Sequence, residues 1–155
     1  MNLQEKRKSY QISQRQASEI LGIPLRTYAR YEEDESYSDS YKYKKIMEDL
    51  DKAFFVDEEH GLLTVEKIKT IVLPVLEEHN INFAYLFGSY ATGEARENSD
   101  VDLLVDTSIT GLAYFQLVEE LRTKLRKKVD LLRLSDIEPD NPISIEILKN
   151  GIKIK

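Results

Sequence analysis

Cysteine and tryptophan are both missing from the 155 residues, and histidine occurs only at positions 60 and 79. Without cysteine there is neither a disulfide framework nor a thiolate metal site. His60 and His79 stand apart from one another and read as surface residues. No apolar run approaches the length needed to cross a bilayer, and Met1 leads directly into charged residues, so a membrane protein is not expected and a cytoplasmic one is. Internal repeats and low-complexity stretches are also lacking. A chain of this length can bury one good core, with room for a small second module.

Negative charge dominates, with a net of −6, which taken whole argues against nucleic-acid binding. The charge is unevenly spread. Residues 1–31 hold six basic side chains (Lys6, Arg7, Lys8, Arg15, Arg26, Arg30) against Glu5 and Glu19, a net of +4 that leaves −10 for the remainder. The basic end therefore reads as a module of its own, over residues 1–56, and residues 62–155 read as a second domain.

The most informative stretch lies in that second part. Phe83-Ala84-Tyr85-Leu86-Phe87 is a short apolar, aromatic run suited to a buried strand. Gly88 ends it and permits unusual backbone angles and the close approach of a ligand, while Ser89 offers a hydroxyl and an amide where a short helix through Ala91 starts. Helix N-termini favour phosphate. After a turn at Asn98-Ser99, Asp100-Val101-Asp102-Leu103-Leu104-Val105 reads as the next strand, which puts Asp100 and Asp102 on one face. Two carboxylates that close repel each other and are costly to desolvate unless a divalent cation compensates them. A third, Asp130, lies in Val129-Asp130-Leu131-Leu132, a strand reached after a helix from about Gly111 to Arg126 and placed to neighbour the Asp100 strand. Singly, Gly88-Ser89 is an ordinary turn, Asp100 a strand-end residue and Asp130 a sheet-edge acid. Together, a Gly-Ser turn leaving one apolar strand and an Asp-x-Asp opening the next are hard to explain as packing.

The run from Phe87-Gly88-Ser89-Tyr90-Ala91-Thr92-Gly93 through Asn98-Ser99-Asp100-Val101-Asp102-Leu103-Leu104-Val105 closely resembles the signature of the minimal nucleotidyltransferases of the polymerase-beta superfamily, over roughly Thr64 to Lys155. The resemblance implies an α+β fold, a small mixed sheet flanked by helices. It also implies Mg²⁺-dependent transfer of a nucleoside monophosphate from a triphosphate, with ATP as substrate. Asp100, Asp102 and Asp130 would be metal-binding and catalytic residues, with Gly88 and Ser89 holding the nucleotide. Many members of that family resemble antitoxins that silence a cognate HEPN-type ribonuclease toxin by adenylylating one of its tyrosines. Transferases of this superfamily that act on small molecules or nucleic acids usually carry an added acceptor domain, and only about 25 residues follow Asp130, so a protein acceptor is the expectation. Two other readings stay open. One is a non-catalytic DNA-binding regulator or stoichiometric binding antitoxin, and the other a small-molecule transferase of the aminoglycoside-modifying type.

The basic end has the rhythm of a small all-α domain. Ser13 caps a helix to about Leu21 with Ala17, Ile20 and Leu21 inward, Gly22-Ile23 turns, and Pro24 opens a helix in which Leu25 and Tyr28 face in. Residues 12–32 resemble Xre/Cro-type helix-turn-helix repressors. That implies Gln14, Arg26, Thr27 and Arg30 near operator DNA and binding as a homodimer, with a helical pair that only packs against protein as the alternative. Glu32-Glu33-Asp34-Glu35 reads as a solvated acidic run, Ser36–Ser40 as a linker, and Tyr41 to about Phe55 as a helix with Ile46, Leu50 and Phe54 along one side.

Farther on, Thr64 caps a helix carrying Val65, Ile68, Val72, Val75 and Leu76, with Pro74 inside it and placed to kink it. In the later helix Leu112, Phe115, Val118, Leu121 and Leu125 are expected as core. Lys124, Arg126, Lys127 and Lys128 at its end are expected on a wet surface that complements the helix dipole, or in contact with a triphosphate or acidic partner. Pro142 to Asn150 reads as a last helix ended by Gly151, and Ile152 to Ile154 as a closing strand.

Overall fold

The computed structural model describes residues 1–155 and divides into two compact units, Met1–Phe55 and Val56–Lys155. The first unit is all helix: α1 (Leu3–Ser9), α2 (Gln14–Ile20), α3 (Leu25–Glu33) and α4 (Tyr41–Ala53), with a 3₁₀ turn at Glu35–Tyr37. Side chains define three of the starts. Asn2 and Glu5 form a capping box on α1, Ser13 and Gln16 form another on α2, and Ser40 caps α4. Leu3, Ala17, Tyr28, Tyr31, Ile46 and Leu50 make its core.

Packing in this unit departs from the expected pattern in three places. Ile20 is 47 % and Leu25 40 % exposed, because α2 turns Ala17 and Ser18 inward and α3 turns Tyr28 and Tyr31 inward. Helix α1 has no counterpart in the hydrophobic pattern, since only Leu3 of its seven residues is buried. Glu32, from the acidic run expected in solvent, has a side chain with no exposure. The Arg7 guanidinium grips it with two donors at 2.8 Å, and the Gln14 amide donates to it at 3.2 Å. Burial pushes the Glu32 carboxyl up, but those hydrogen bonds and the Arg7 charge together hold it below its ordinary value.

The second unit runs α5 (Val65–Glu78), β1 (Ala84–Phe87), α6 (Gly88–Thr92), β2 (Val101–Val105), α7 (Gly111–Leu125), β3 (Val129–Arg133), α8 (Pro142–Asn150) and β4 (Ile152–Lys153). The four strands lie in the order β3-β2-β1-β4. The β2/β3 pair is parallel, joined through α7, and β1 is antiparallel to both β2 and β4. This is a mixed α+β sheet with flanking helices. One sheet face, through Leu86, Leu103 and Leu131, packs on Ile68, Val72 and Val75 of α5 and Leu117, Leu121 and Leu125 of α7. Alternation along the strands puts Tyr85, Phe87, Asp102, Leu104 and Asp130 on the opposite face. Helix α5 continues through Pro74, with Thr64 as its cap.

The stripe expected along α7 is partly wrong. Leu112 and Phe115 are 74 % and 65 % exposed, while Leu117, outside the expected stripe, is fully buried. Steps of three residues advance about 300° around a helix, so three in succession carry Leu112 about half a turn away from Leu121. The basic cluster also splits: Lys127 is 0 % exposed. Nor are the histidines isolated. His79 Nε2 lies 2.8 Å from a Glu120 carboxylate oxygen and His60 Nδ1 2.9 Å from Asp57.

Candidate functional site

Strand pairing brings together residues far apart in the chain. In the parallel β2/β3 ladder Asp102 stands opposite Asp130, and in the antiparallel β1/β2 ladder Phe87 stands opposite Asp102. Directly opposed residues project to the same side of a sheet, so both carboxylates share the face not covered by α5 and α7. Asp100 sits one residue before β2, at the end of the loop from α6, and is exposed, as is Asp130, whereas Asp102 is half-buried.

Gly88 is built against that carboxylate. Its φ of +71° lies in the left-handed region, and a Cβ placed on it would meet Asp102 Oδ2 at 2.1 Å and Asp102 Cγ at 2.9 Å. Glycine is thus required here twice over, by conformation and by space. Chain reversal at Gly88 starts α6, whose first turn carries the half-buried Ser89, and Gly93 (φ +79°) closes the helix with its amide on the Ser89 carbonyl.

The electrostatics follow from the crowding. The Asp102 carboxyl is pushed up to about 6, by burial first and then by the charges of Asp130, Asp100 and Glu146. Glu146, on α8, is a contributor that sequence reasoning did not single out; its only signal was an acid beside the inner-face residue Ile147 of an amphipathic helix. Tyr114 of α7 donates its hydroxyl to the Leu131 carbonyl, and burial followed by the Asp130 charge raises its titration. No three acidic or histidine side chains converge closely enough in this structure to hold a metal ion. The charges of Asp130 and Asp100 nevertheless both bear on Asp102. Their chemistry fits a hard divalent cation: every donor is a carboxylate oxygen, and a cation would offset the burial and the like charges that together raise Asp102.

Farther along the same sheet face lies an open apolar groove of about 520 Å³, floored by Phe83, Tyr85 and Leu104 and walled by Leu134, Ile147 and Leu148.

In the first unit Arg26 and Arg30 are exposed on α3 and, with Thr27, line a shallow recess that also contains Glu33 and Asp34. The Arg30 guanidinium lies 5.6 and 5.7 Å from the ring centres of Tyr31 and Tyr37. Gln14 is placed differently, with its amide committed to Glu32.

Comparison with known proteins matches residues 66–155 to the family model described as polymerase beta, nucleotidyltransferase. Protein adenylyltransferase MntA of Thermococcus cleftensis is 40 % identical over 84 residues, covering 50 % of this chain and 85 % of its own. A candidate protein adenylyltransferase of Methanocaldococcus jannaschii is 38 % identical over 80 residues, again 50 % of this chain and 85 % of its own. A crystal structure of a toxin–antitoxin with AMP-PNP superposes with a TM-score of 0.50 at 24 % identity, over 56 % of this chain and 72 % of its own, a likeness of fold.

Proposed function

The chain belongs to the polymerase beta nucleotidyltransferase family, and on that premise we propose that it is an antitoxin that transfers AMP from ATP to a tyrosine hydroxyl of a cognate HEPN-type toxin. The observation that carries this reading is the sheet face on which Gly88 abuts Asp102 and Asp102 stands opposite Asp130. The adenylyltransferase names of its relatives support AMP as the group transferred.

Gly88 and Ser89 hold the triphosphate at the turn into α6, where the glycine leaves room for the Asp102 carboxylate against the main chain. Asp100 and Asp102, with Asp130, are the residues to hold Mg²⁺, which supplies charge neutralisation at the phosphates when bound. Asp130, exposed at the edge of this face, orients the acceptor hydroxyl and takes its proton. The tyrosine oxygen forms a bond to the α-phosphorus, the bond from that phosphorus to the bridging oxygen breaks, and pyrophosphate departs. Burial of Asp102 together with three acidic neighbours supplies a binding force for cations that an isolated surface carboxylate lacks.

The all-helical unit is proposed to bind operator DNA as a homodimer through α3, with Arg26, Thr27 and Arg30 at phosphates or base edges; Gln14, on α2, would have to release Glu32 to join them. Mixing the purified chain with labelled ATP, Mg²⁺ and the product of the neighbouring gene tests the transferase reading. Label on a partner tyrosine that disappears with Asp100→Ala is expected; an unlabelled partner, or labelling indifferent to Asp100→Ala, overturns it.

A further inference from the structure

Lys127 is buried over its whole length, at 0 % exposure, and no carboxylate is bonded to it. Its ammonium instead donates to two main-chain carbonyls, that of His60 at 3.2 Å and, by a shorter contact, that of Glu97. A buried ammonium with neutral acceptors is a costly arrangement. Burial lowers the Lys127 titration, opposed by the charges of Asp57, Glu97 and Glu59.

Where those bonds lead is informative. Glu97 stands three residues before Asp100 in the loop that delivers it, and Lys127 stands three residues before Asp130. The same loop is closed on itself by the Arg96 amide on the Ser99 hydroxyl at 2.8 Å and the Ser99 amide on the Arg96 carbonyl at 2.9 Å. The Glu97 carboxylate accepts from the Gly61 amide at 3.1 Å, so that residue is held through both its side chain and its main chain. The Val101 amide then donates to the Lys128 carbonyl at 2.9 Å, and from there the β2/β3 ladder begins. One ammonium therefore ties the start of β2 to the start of β3, where Asp100 and Asp130 sit.

We propose that Lys127 is a positioning residue for the transfer reaction, setting the separation of Asp100 from Asp130 by clamping the main chain at Glu97. This rests on the transferase reading of the site. Because the acceptors are backbone carbonyls, the clamp acts on the path of the chain and not on charge balance. Arginine, which keeps the charge and can reach a carbonyl, replaces part of it, and methionine, which fills the space without donating, does not.

The test uses the full chain as wild type, Lys127→Met and Lys127→Arg, read by backbone amide exchange and by transfer kinetics. In Lys127→Met, exchange over 97–102 and 128–130 is expected to quicken at least about tenfold with the α5 core unchanged, and Lys127→Arg to recover most of the protection. The kcat for AMP transfer is expected to fall about tenfold or more while KM for ATP stays within about threefold. Wild-type exchange rates in both segments of Lys127→Met overturn the proposal, as does a kcat that drops only in proportion to the unfolded fraction. Should Lys127→Met fail to fold, Lys127→Gln, which retains a donor but not the reach, carries the same expectations. A wild-type chain that transfers no AMP refutes the transferase reading by itself. The exchange measurement then decides the clamp, with quickening confined to the starts of β2 and β3 supporting it and general loosening refuting it.

Discussion

Gly88→Ala isolates what the close approach of backbone to carboxylate contributes. The substitution does two things at once. It places an L side chain at φ +71°, and it sets a methyl 2.1 Å from Asp102 Oδ2. The left-handed conformation costs about 1–2 kcal/mol for a residue with a Cβ. The contact is short of an ordinary van der Waals separation by more than about 1 Å, and relief must come from the Asp102 side chain or from the turn itself. A misplacement of that size at a reacting centre costs about 100-fold in rate. Gly93→Ala is the matched control, since Gly93 has φ +79° at the end of the same short helix and open space where its Cβ would go. Both variants should lose a similar amount of stability from the backbone, read as melting temperature. Only Gly88→Ala should also lose about 100-fold in AMP transfer, read as label incorporated per minute into the partner. Activity of Gly88→Ala within about threefold of Gly93→Ala would refute the claim that the glycine exists to admit the Asp102 carboxylate.

Other perturbations separate the remaining claims. The Asp102 carboxyl titrates well above its unfolded value, so the folded state binds the extra proton and Asp102 opposes folding progressively as pH rises through about 6. Metal-free Asp102→Asn should therefore melt higher than the wild type near pH 8, the gap closing as pH falls toward about 4, in thermal denaturation across that range. Glu32 has the opposite sign, and its contribution is lost in acid as pH falls through its depressed value. Breaking its pair with Arg7→Met should cost the helical unit about 3–5 kcal/mol, read by denaturant unfolding. In α7, Leu121→Ala should cost about 2–5 kcal/mol and Leu112→Ala within about 0.5 kcal/mol, the reverse of equal burial along the stripe. If α3 meets DNA, Arg26→Ala and Arg30→Ala should each lower the salt slope of binding by about 1, measured by fluorescence anisotropy at several salt concentrations.

The mixed sheet is legible in the sequence because its strands are short apolar runs bounded by Gly88 and by Asn98-Ser99, and because Thr64, Pro142 and Gly151 mark helix ends clearly. Which residues face each other across β2 and β3 is not, since alternation within each strand fixes only the face a residue takes and leaves shifts of two residues between the strands equivalent. Along α7 the pattern misleads because successive three-residue steps drift around the helix, and Leu112 and Phe115 follow that drift into solvent. Lys127 and Glu32 mislead for a different reason. Each sits in a run of like charges that looks solvated, and only tertiary partners distant in sequence, Glu97 and His60 for one and Arg7 for the other, make burial tolerable. Gly151 reads in the sequence as a helix-ending turn. Its backbone is extended, and the glycine is needed because a Cβ would lie 2.4 Å from the Ile147 carbonyl.

On the proposed function, the face bearing Gly88, Asp100, Asp102 and Asp130 adenylylates a protein tyrosine. The most direct measurement is the intact mass of the purified neighbouring gene product after incubation with the chain, ATP and Mg²⁺, followed by mapping of the modified residue. A mass increase of one AMP on a tyrosine, abolished by Asp102→Asn and by Asp130→Asn, is the predicted result. An unmodified partner, or modification that survives both substitutions, would contradict it.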